Sequence, residues 1–242
     1  MLKTATEGNT LLASLSERDL SSLADSLRFV SLRQGDNVYL QGDRVEHLYF
    51  PLNCVLSTAA VMNDGATVEV SMTGREGVVG VSSAFGDYAA RNWTRALIGG
   101  DAVRVSVEAV KDLCARSESA QVRVMGAYRQ LITQVSQRAI CNCRHTLMQR
   151  LCTWLLMVHD RAGTDDMSLT QEMMAGRLGA RRAGVTQAAR LLLLSGAVRY
   201  SRGEIHFNDR TLVEHMACEC YRVHREIFRG THNAGGTGVS FA

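Results

Sequence analysis

Six arginines lie close together between positions 177 and 202, and no Asp or Glu occurs among them. A local cluster of guanidinium groups without carboxylates favours contact with a phosphate backbone, because each phosphate is negatively charged. The simpler explanation of a charge run is a solvated helix face. The cluster therefore indicates nucleic-acid binding only if it lies on a motif that binds nucleic acid. Its members are Arg177, Arg181, Arg182, Arg190, Arg199 and Arg202.

Residues 168–207 have the pattern of two short helices around a tight turn, followed by a β-hairpin. Ser168 and Gln171 have the spacing of a capping box for the first helix, and Gly179 supplies the turn. The second helix is predicted over residues 182–194. The hairpin, residues 198–207, is predicted to form a wing that contacts phosphate.

The predicted second helix has an apolar back and a polar front. At about 100° per residue, one side holds four apolar residues and the other side holds two arginines. Such a helix suits the major groove, where side chains contact base edges. The apolar set is Val185, Ala188, Ala189 and Leu192, and the polar set is Arg182, Ala183, Thr186, Gln187 and Arg190.

Length and charge distribution predict two domains. A chain of 242 residues can form two hydrophobic cores. Residues 1–145 hold 15 Lys+Arg and 15 Asp+Glu, whereas residues 146–242 hold 12 and 9. The positive excess therefore lies in the C-terminal part, which indicates a neutral sensing domain followed by a nucleic-acid-binding domain.

The sequence predicts a cytoplasmic protein without a membrane partner. No apolar run approaches the ~20 residues of a membrane span, and the first ten residues lack the apolar core of a signal peptide. The seven cysteines are odd in number and show no disulfide framework. No P-loop, H-E-x-x-H or G-x-S-x-G motif is present, so we expect no enzymatic activity.

The N-terminal half has regularly spaced, short strand-like segments, which predict an antiparallel β-roll or barrel. Residues 1–14 are predicted to be a loose leader, and Ser16 is predicted to cap a helix. Asn63-Asp64-Gly65 is a strong hairpin signal. Strands are predicted over residues 29–32, 37–40, 48–50, 55–62, 67–72 and 103–107.

Two motifs in this order resemble a known family. The segment RQGDNVYLQGD, residues 33–43, is similar to the opening of cyclic-nucleotide-binding β-rolls, in which paired Gly-Asp turns join early strands. With the helix-turn-helix, the chain resembles the Crp/Fnr superfamily of bacterial transcription regulators. The resemblance implies an α+β fold: an N-terminal antiparallel β-roll of jelly-roll type (11–115), a dimerisation helix (116–145) and a winged helix-turn-helix domain (146–230). The composition of residues 231–242 predicts a disordered tail.

The resemblance also implies where an effector would bind. In members that bind cyclic AMP, a short helix after a Gly-Glu step holds the ribose and phosphate, and a later Arg pairs with the phosphate. Here Val78 stands where the ribose-binding Glu is expected, and Arg95 is the candidate for the phosphate Arg. We therefore expect an altered or empty pocket and an unknown effector rather than cyclic AMP. The candidate effector residues are Val78, Val79, Gly80, Ser82, Ser83, Thr94 and Arg95.

A long helix predicted over residues 119–142 carries a coiled-coil seam. Six of its residues are spaced alternately three and four apart, and the polar Asn142 at the end of the seam would fix its register. Packing on the chain's own β-roll is the alternative, whereas the resemblance favours a homodimer. The seam consists of Met125, Tyr128, Ile132, Val135, Ala139 and Asn142.

The remaining helices complete the predicted C-terminal domain. A helix is predicted over residues 144–161 with Leu147, Leu151, Trp154, Leu155 and Val158 inward, and residues 162–167 are predicted to be a loop. Asp209 is predicted to cap a last helix. Its expected inward residues are Leu212, Val213, Met216, Ala217 and Cys220.

The resemblance assigns the DNA contacts residue by residue. Arg182 falls where the family uses an Arg to reach guanine, and Ala183 stands where an acidic residue often reads cytosine, so a different half-site is expected. A homodimer on double-stranded DNA would recognise a palindrome, with RNA polymerase as a possible further partner. Further candidate contacts are Thr170, Gln171, Arg181, Thr186, Gln187, Arg190 and Arg202.

The cysteines leave alternative functions open. Cys141/Cys143 and Cys218/Cys220 are C-x-C pairs in predicted helices, where side chains two apart diverge by about 200°, so we expect no metal site. One alternative is a cyclic-nucleotide sensor that acts through protein partners. The other is an iron–sulfur or thiol redox regulator.

Overall fold

The computed structural model describes residues 2–86 and 89–229. It confirms the predicted α+β fold, with antiparallel sheets, a long central helix and a C-terminal helix-turn-helix. The helices are α1 (Leu2–Gly8), α2 (Thr10–Ala13), α3 (Glu17–Leu23), α4 (Val107–Arg116), α5 (Glu118–Arg144), α6 (Leu147–Ala162), α7 (Gln171–Leu178), α8 (Arg182–Leu194), α9 (Arg210–Met216) and α10 (Cys220–Arg229). The predicted tail, 231–242, lies outside the described residues.

The β-roll consists of two antiparallel sheets with the orders β1-β7-β3 and β2-β6-β4-β5. Strand β6 was not predicted, whereas the β4–β5 hairpin forms at Asn63-Asp64-Gly65 as expected. The strands are β1 (Arg28–Leu32), β2 (Asn37–Tyr39), β3 (His47–Pro51), β4 (Val55–Val61), β5 (Thr67–Thr73), β6 (Trp93–Ile98) and β7 (Gly100–Ser106).

The paired Gly-Asp motifs form two turns of the same design. Gly35 and Gly42 both have a φ of 91°, which glycine adopts without the clash that a Cβ would cause. The Asp36 carboxylate accepts from the backbone N–H of Arg33 at 2.8 Å, and the Asp43 carboxylate accepts from that of Leu40 at 2.7 Å. The repeated motif therefore encodes a repeated turn at the start of the roll.

The prediction of a loose leader was wrong. Residues 2–14 contain α1 and α2, and Ala5 and Leu12 are fully buried in the core of the roll. The Asn9 side chain caps α2 and donates to the carbonyls of Pro51 and Gly77, at 3.0 Å each. Helices this short gain their stability from tertiary contacts, which the local sequence does not show.

The sheet β2-β6-β4-β5 is buried on both faces. On one face Leu56 and Ala96 join the core of the roll, together with residues of β3 and β7. On the other face Val55, Met72 and Leu97 join the core of the C-terminal domain. The C-terminal domain therefore packs directly on the roll within one chain.

The C-terminal domain contains α6 to α10 and a second sheet with the order β8-β10-β9, formed by β8 (Asp166–Ser168), β9 (Val198–Ser201) and β10 (Glu204–Phe207). Helix α8 has the predicted bounds. Its predicted apolar side is buried, because it faces α6 and α7 across the domain core. This buried side is Val185, Ala188, Ala189 and Leu192.

Three details of this domain differ from prediction. Ser168 ends β8 and does not cap α7, because Thr170 holds that position and its hydroxyl accepts from the Met173 N–H at 3.2 Å. The predicted loop, 162–167, includes the start of β8, which pairs with β10. The predicted last helix is divided into α9 and α10, and Leu212 is 40% exposed rather than inward.

Buried polar contacts attach α5 and α6 to β5, the edge strand of its sheet. The Gln134 side chain donates to the Met72 carbonyl and accepts from the Met72 N–H, both at 2.9 Å, as a neighbouring strand would. The buried Glu69 carboxylate accepts from Trp154 Nε1 at 2.9 Å and lies 3.3 Å from the Arg138 guanidinium. Side chains from two helices therefore cover the unpaired edge.

None of the described helices combines the length and the apolarity needed to cross a membrane.

The Glu69 contacts lead to a stability prediction. Glu69→Gln removes the negative charge and leaves Arg138 buried without compensation, so unfolding free energy should fall by about 3–5 kcal/mol. Urea denaturation followed by circular dichroism measures this change. Glu172→Gln is the control, because its ion pair with Arg182 is exposed and should contribute less than about 1 kcal/mol. Equal losses in the two variants would contradict the prediction.

Candidate nucleic-acid interface and effector cavity

The two helices of the helix-turn-helix meet at Gly179, whose φ of 57° lies in the left-handed region. The N–H of Gly179 bonds to the Ala175 and Gly176 carbonyls, which ends α7. Helix α8 then starts after Arg181, whose side chain makes no capping hydrogen bond. The free backbone N–H groups and the positive end of the helix dipole suit a negatively charged phosphate.

The predicted DNA contacts form one exposed surface on α8 and the turn before it. Thr170 and Arg202 are exposed as well, whereas Gln171 is half-buried. The Gln171 side-chain oxygen accepts from the Thr186 hydroxyl at 2.6 Å, so the two residues hold each other across α7 and α8. The exposed residues of α8 and its cap are Arg181, Arg182, Ala183, Thr186, Gln187 and Arg190.

One acidic neighbour of this surface was not considered in the sequence analysis. Glu172 lies in the first turn of α7, and its carboxylate is 3.8 Å from Arg182 Nε. Both side chains are at least 70% exposed, so the pair is weakly held and a nucleic acid can compete for the arginine. Helical periodicity could have placed Glu172 on the exposed side of α7.

The wing is a hairpin with a two-residue turn at Arg202 and Gly203. Both residues have positive φ, 52° and 87°, as a type I′ turn requires. The backbone of Gly203 approaches the Thr170 side chain so closely that an added Cβ would lie 3.3 Å from it. The fold therefore brings Arg202 near the start of α7, although the two are far apart in sequence.

The helix-turn-helix contacts the β4–β5 hairpin of the roll. An added Cβ on Gly179 would lie 2.8 Å from a Val68 methyl group, and one on Gly176 would lie 2.9 Å from the Thr67 hydroxyl. Arg138 of α5 also donates to the Arg177 carbonyl at 3.2 Å. The roll and the long helix thus both contact the element that holds α8.

A cavity of about 280 Å³ lies between the roll and α5. Its walls are mainly apolar, with hydroxyl groups from Thr58, Ser71 and Thr94. Tyr128, Ile132 and Val135 of the predicted seam form part of its α5 side. Among the predicted effector residues, five line it: Val78, Val79, Gly80, Ser82 and Thr94.

Ser83 and Arg95 do not line this cavity. Ser83 is buried, and Arg95 lies on the opposite side of β6 from Thr94, because successive strand residues alternate between faces. The Arg95 guanidinium stacks on the Trp93 ring and donates to the Asn37 side chain at 2.8 Å. Burial lowers the pKa of Arg95, with a smaller contribution from Arg177. Arg91, which the sequence analysis missed, lines the cavity.

The short helix of this region starts later than the motif suggested. A 3-10 helix, Val81–Phe85, follows Gly80, whose φ is 88°. In the structure, the residue after the glycine that precedes the short helix, where cyclic-AMP-binding members have the Glu, is therefore Val81 rather than Val78. Both valines are apolar and buried. Among the described residues that line the cavity, none carries a carboxylate.

The seam of α5 is largely exposed in the single chain. Met125 is 44% exposed, Ile132 48% and Val135 37%, and Ala139 and Asn142 are exposed as well. Tyr128 is half-buried and contacts the Phe85 ring. The opposite side of α5 packs on its own chain through Val124, Gln134 and Arg138.

The expectation that the C-x-C pairs lie in helices was wrong for one pair. Cys218 lies in the turn between α9 and α10, so its thiol is free to point toward that of Cys220. Cys141 of α5 and His145 after it complete a group of four possible metal ligands. Cys143 is exposed and does not belong to this group, as expected from its position two residues after Cys141.

Comparison with known proteins assigns the C-terminal part to a family. Residues 149–216 match the Crp-like helix-turn-helix domain. This match covers α6, the helix-turn-helix, the wing and α9. A search of curated proteins finds no match.

Solved structures share the fold over most of the chain. FixK2 from Bradyrhizobium japonicum is 16% identical, with a TM-score of 0.69 over 79% of this chain and 98% of that one. A CRP-family transcriptional regulator from Thermus thermophilus is 15% identical, with a TM-score of 0.67 over 78% and 96%. The c-di-GMP-responsive regulator CLP from Xanthomonas campestris is 12% identical, with a TM-score of 0.66 over 79% and 99%.

Proposed function

Because the chain carries a Crp-like helix-turn-helix domain and has the fold of Crp/Fnr transcription regulators, we propose that it is a sequence-specific, homodimeric DNA-binding regulator. The observation that carries this proposal is the exposed polar face of α8. Its arginines protrude from a helix whose other face is buried, so the helix is fixed while the side chains proposed to contact bases stay exposed.

Arg182 is the proposed base-contacting residue. It is the first residue of α8, where a helix that enters the major groove brings side chains close to base edges. A guanidinium can donate two hydrogen bonds to guanine O6 and N7. Arg202 at the wing tip and Thr170 at the cap of α7 are proposed to contact phosphates, which position the protein without selecting a sequence.

The seam of α5 is the proposed dimer interface. Exposed apolar residues at alternating spacings of three and four match the pattern by which two parallel helices pack. A two-fold dimer would place two copies of α8 about 34 Å apart on successive major grooves, so the proposed target is a palindrome.

The cavity between the roll and α5 is the proposed effector site. Its wall is mainly apolar, and none of the lining residues in the described part of the chain has a carboxylate for the ribose, which favours a small and largely apolar ligand over cyclic AMP. Since Ile132 and Val135 belong both to the cavity wall and to the seam, a ligand there would act on the proposed dimer contact directly.

A first prediction concerns sequence discrimination. Duplexes selected from random DNA should yield a palindrome, and Arg182→Ala should reduce the preference for it by about 1–3 kcal/mol per half-site. Arg202→Ala should instead weaken binding to the specific and the scrambled duplex equally, and it should reduce the salt dependence of the binding constant. Fluorescence anisotropy at several salt concentrations measures both. Unchanged discrimination in Arg182→Ala would refute the assignment.

A second prediction concerns the dimer. Val135→Glu places a charge in the seam and should shift the protein to a monomer in analytical ultracentrifugation. Ile140→Glu is the matched control, because Ile140 is 52% exposed on the same helix but lies away from the seam. The proposal fails if wild-type protein is monomeric, or if both variants dissociate to the same extent.

A third prediction concerns the effector. Isothermal titration of cyclic AMP into the purified protein should show no micromolar binding, because none of the described residues that line the cavity has a carboxylate that could accept from the ribose hydroxyls. Micromolar binding of one nucleotide per chain would overturn this prediction.

A further inference from the structure

Four side chains with potential metal ligand atoms meet where the end of α5 contacts the C-terminal domain, away from the exposed face of α8. Cys141, His145, Cys218 and Cys220 each offer a ligand atom, and these atoms all lie within 4.8 Å of one another. Cys141 and His145 lie at the end of α5, whereas Cys218 lies between α9 and α10 and Cys220 begins α10. Cys141 and Cys218 are 77 residues apart in the sequence.

Two distances between these atoms match the geometry of a single tetrahedral ion. Zinc–sulfur bonds of ~2.3 Å and zinc–nitrogen bonds of ~2.0 Å at tetrahedral angles require separations of roughly 3.8 Å between sulfurs and roughly 3.5 Å between sulfur and nitrogen. The Cys141 and Cys218 sulfurs are 3.5 Å apart, and the Cys220 sulfur is 3.6 Å from His145 Nδ1. An iron–sulfur cluster would hold its cysteines further apart, because several atoms lie between them.

The surroundings also have the features of a metal site. The other ring nitrogen of His145, Nε2, lies 3.2 Å from the Glu219 carboxylate, which fixes the imidazole with Nδ1 directed at the thiols. Gln137 donates to the Cys220 sulfur at 3.0 Å, and Thr153 lies 3.1 Å from the Cys218 sulfur. These partners would orient and stabilise thiolates.

Buried cysteines that only fill space, or a disulfide, are the simpler explanations. Inert cysteines do not require an imidazole nitrogen aimed at them with a carboxylate behind it. A Cys141–Cys218 disulfide needs a sulfur–sulfur bond of ~2.05 Å and would leave Cys220 and His145 without a role. Only a bound metal ion gives all four residues a common role.

We propose that Cys141, His145, Cys218 and Cys220 bind one Zn²⁺ ion per chain in a closed Cys₃His site. Three thiolates and a neutral imidazole would give the complex one net negative charge, and Arg150 supplies a positive charge close to Cys141 and Cys218. With four protein ligands and no open position, the site is of the structural type. It would fasten α9 and α10 to the end of the proposed dimer helix.

The first test measures metal in the full-length protein, purified under reducing conditions without added metal. Mass spectrometry of the metal content should find about one zinc per chain. Cys141→Ser and Cys218→Ser should retain roughly a tenth of this content or less. Cys143→Ser is the matched control and should retain all of it, because Cys143 lies on the same helix but is exposed.

A second variant avoids the risk that ligand substitutions prevent folding. Glu219 is 80% exposed, so Glu219→Gln should fold normally. It should weaken zinc affinity about 10–100-fold in competition with a chelator, because the imidazole loses its carboxylate partner. Replacement of the zinc by Co²⁺ should also give the visible absorption bands of a tetrahedral thiolate complex.

Several outcomes would overturn the proposal. The first is protein that stays free of zinc after reduction and incubation with ZnCl₂. The second is bound iron with a visible absorption band instead of zinc. The third is a Cys141–Cys218 disulfide that persists under reducing conditions. Equal loss of zinc in Cys143→Ser and Cys141→Ser would also reject this ligand set. None of these results would affect the proposed DNA binding, which the anisotropy measurements test separately.

Discussion

The buried carboxylate of Glu69 is the contact on which the relation between the two halves of the molecule depends. It accepts from Ser57 within the roll, from Trp154 of α6, and pairs with Arg138 of α5. A charge at this depth is costly unless it is fully satisfied. Its satisfaction requires a strand of the roll, the long helix and the first helix of the C-terminal domain to be in place together, so it fixes one arrangement of all three.

This arrangement connects the proposed effector cavity and the proposed DNA-binding surface through shared elements. Helix α5 forms one wall of the cavity through Ile132, and further along the same helix Arg138 contacts the backbone of α7. Strand β5 likewise borders the cavity through Ser71 and touches the helix-turn-helix through Val68. A ligand that moved either element would therefore act on the support of α8 without touching α8.

The cysteines show how spacing along a chain can differ from proximity in the fold. The sequence analysis expected no metal site, because side chains two apart on a helix diverge, whereas the proposed site combines residues from different elements. Cys141 meets Cys218 through the packing of α10 against α5 and α6. Cys143, two residues after Cys141 on the same helix, is exposed to solvent. The meeting of Cys141 with Cys218 does not follow from local sequence, since it depends on how helices pack.

The amino-acid pattern alone determined local elements of the C-terminal half: the bounds and buried face of α8, the Gly179 turn and the hairpin wing. The Gly-Asp turns of the roll were expected from the family resemblance. These features follow from periodicity and from glycine's backbone freedom, which act over a few residues. The tertiary structure decided the packing of the leader, the unpredicted β6 and α4, the position of Arg95 away from the cavity, and the meeting of Cys141 and His145 with Cys218 and Cys220. Each of these depends on contacts between residues far apart in sequence, whose free energy exists only once the chain has folded.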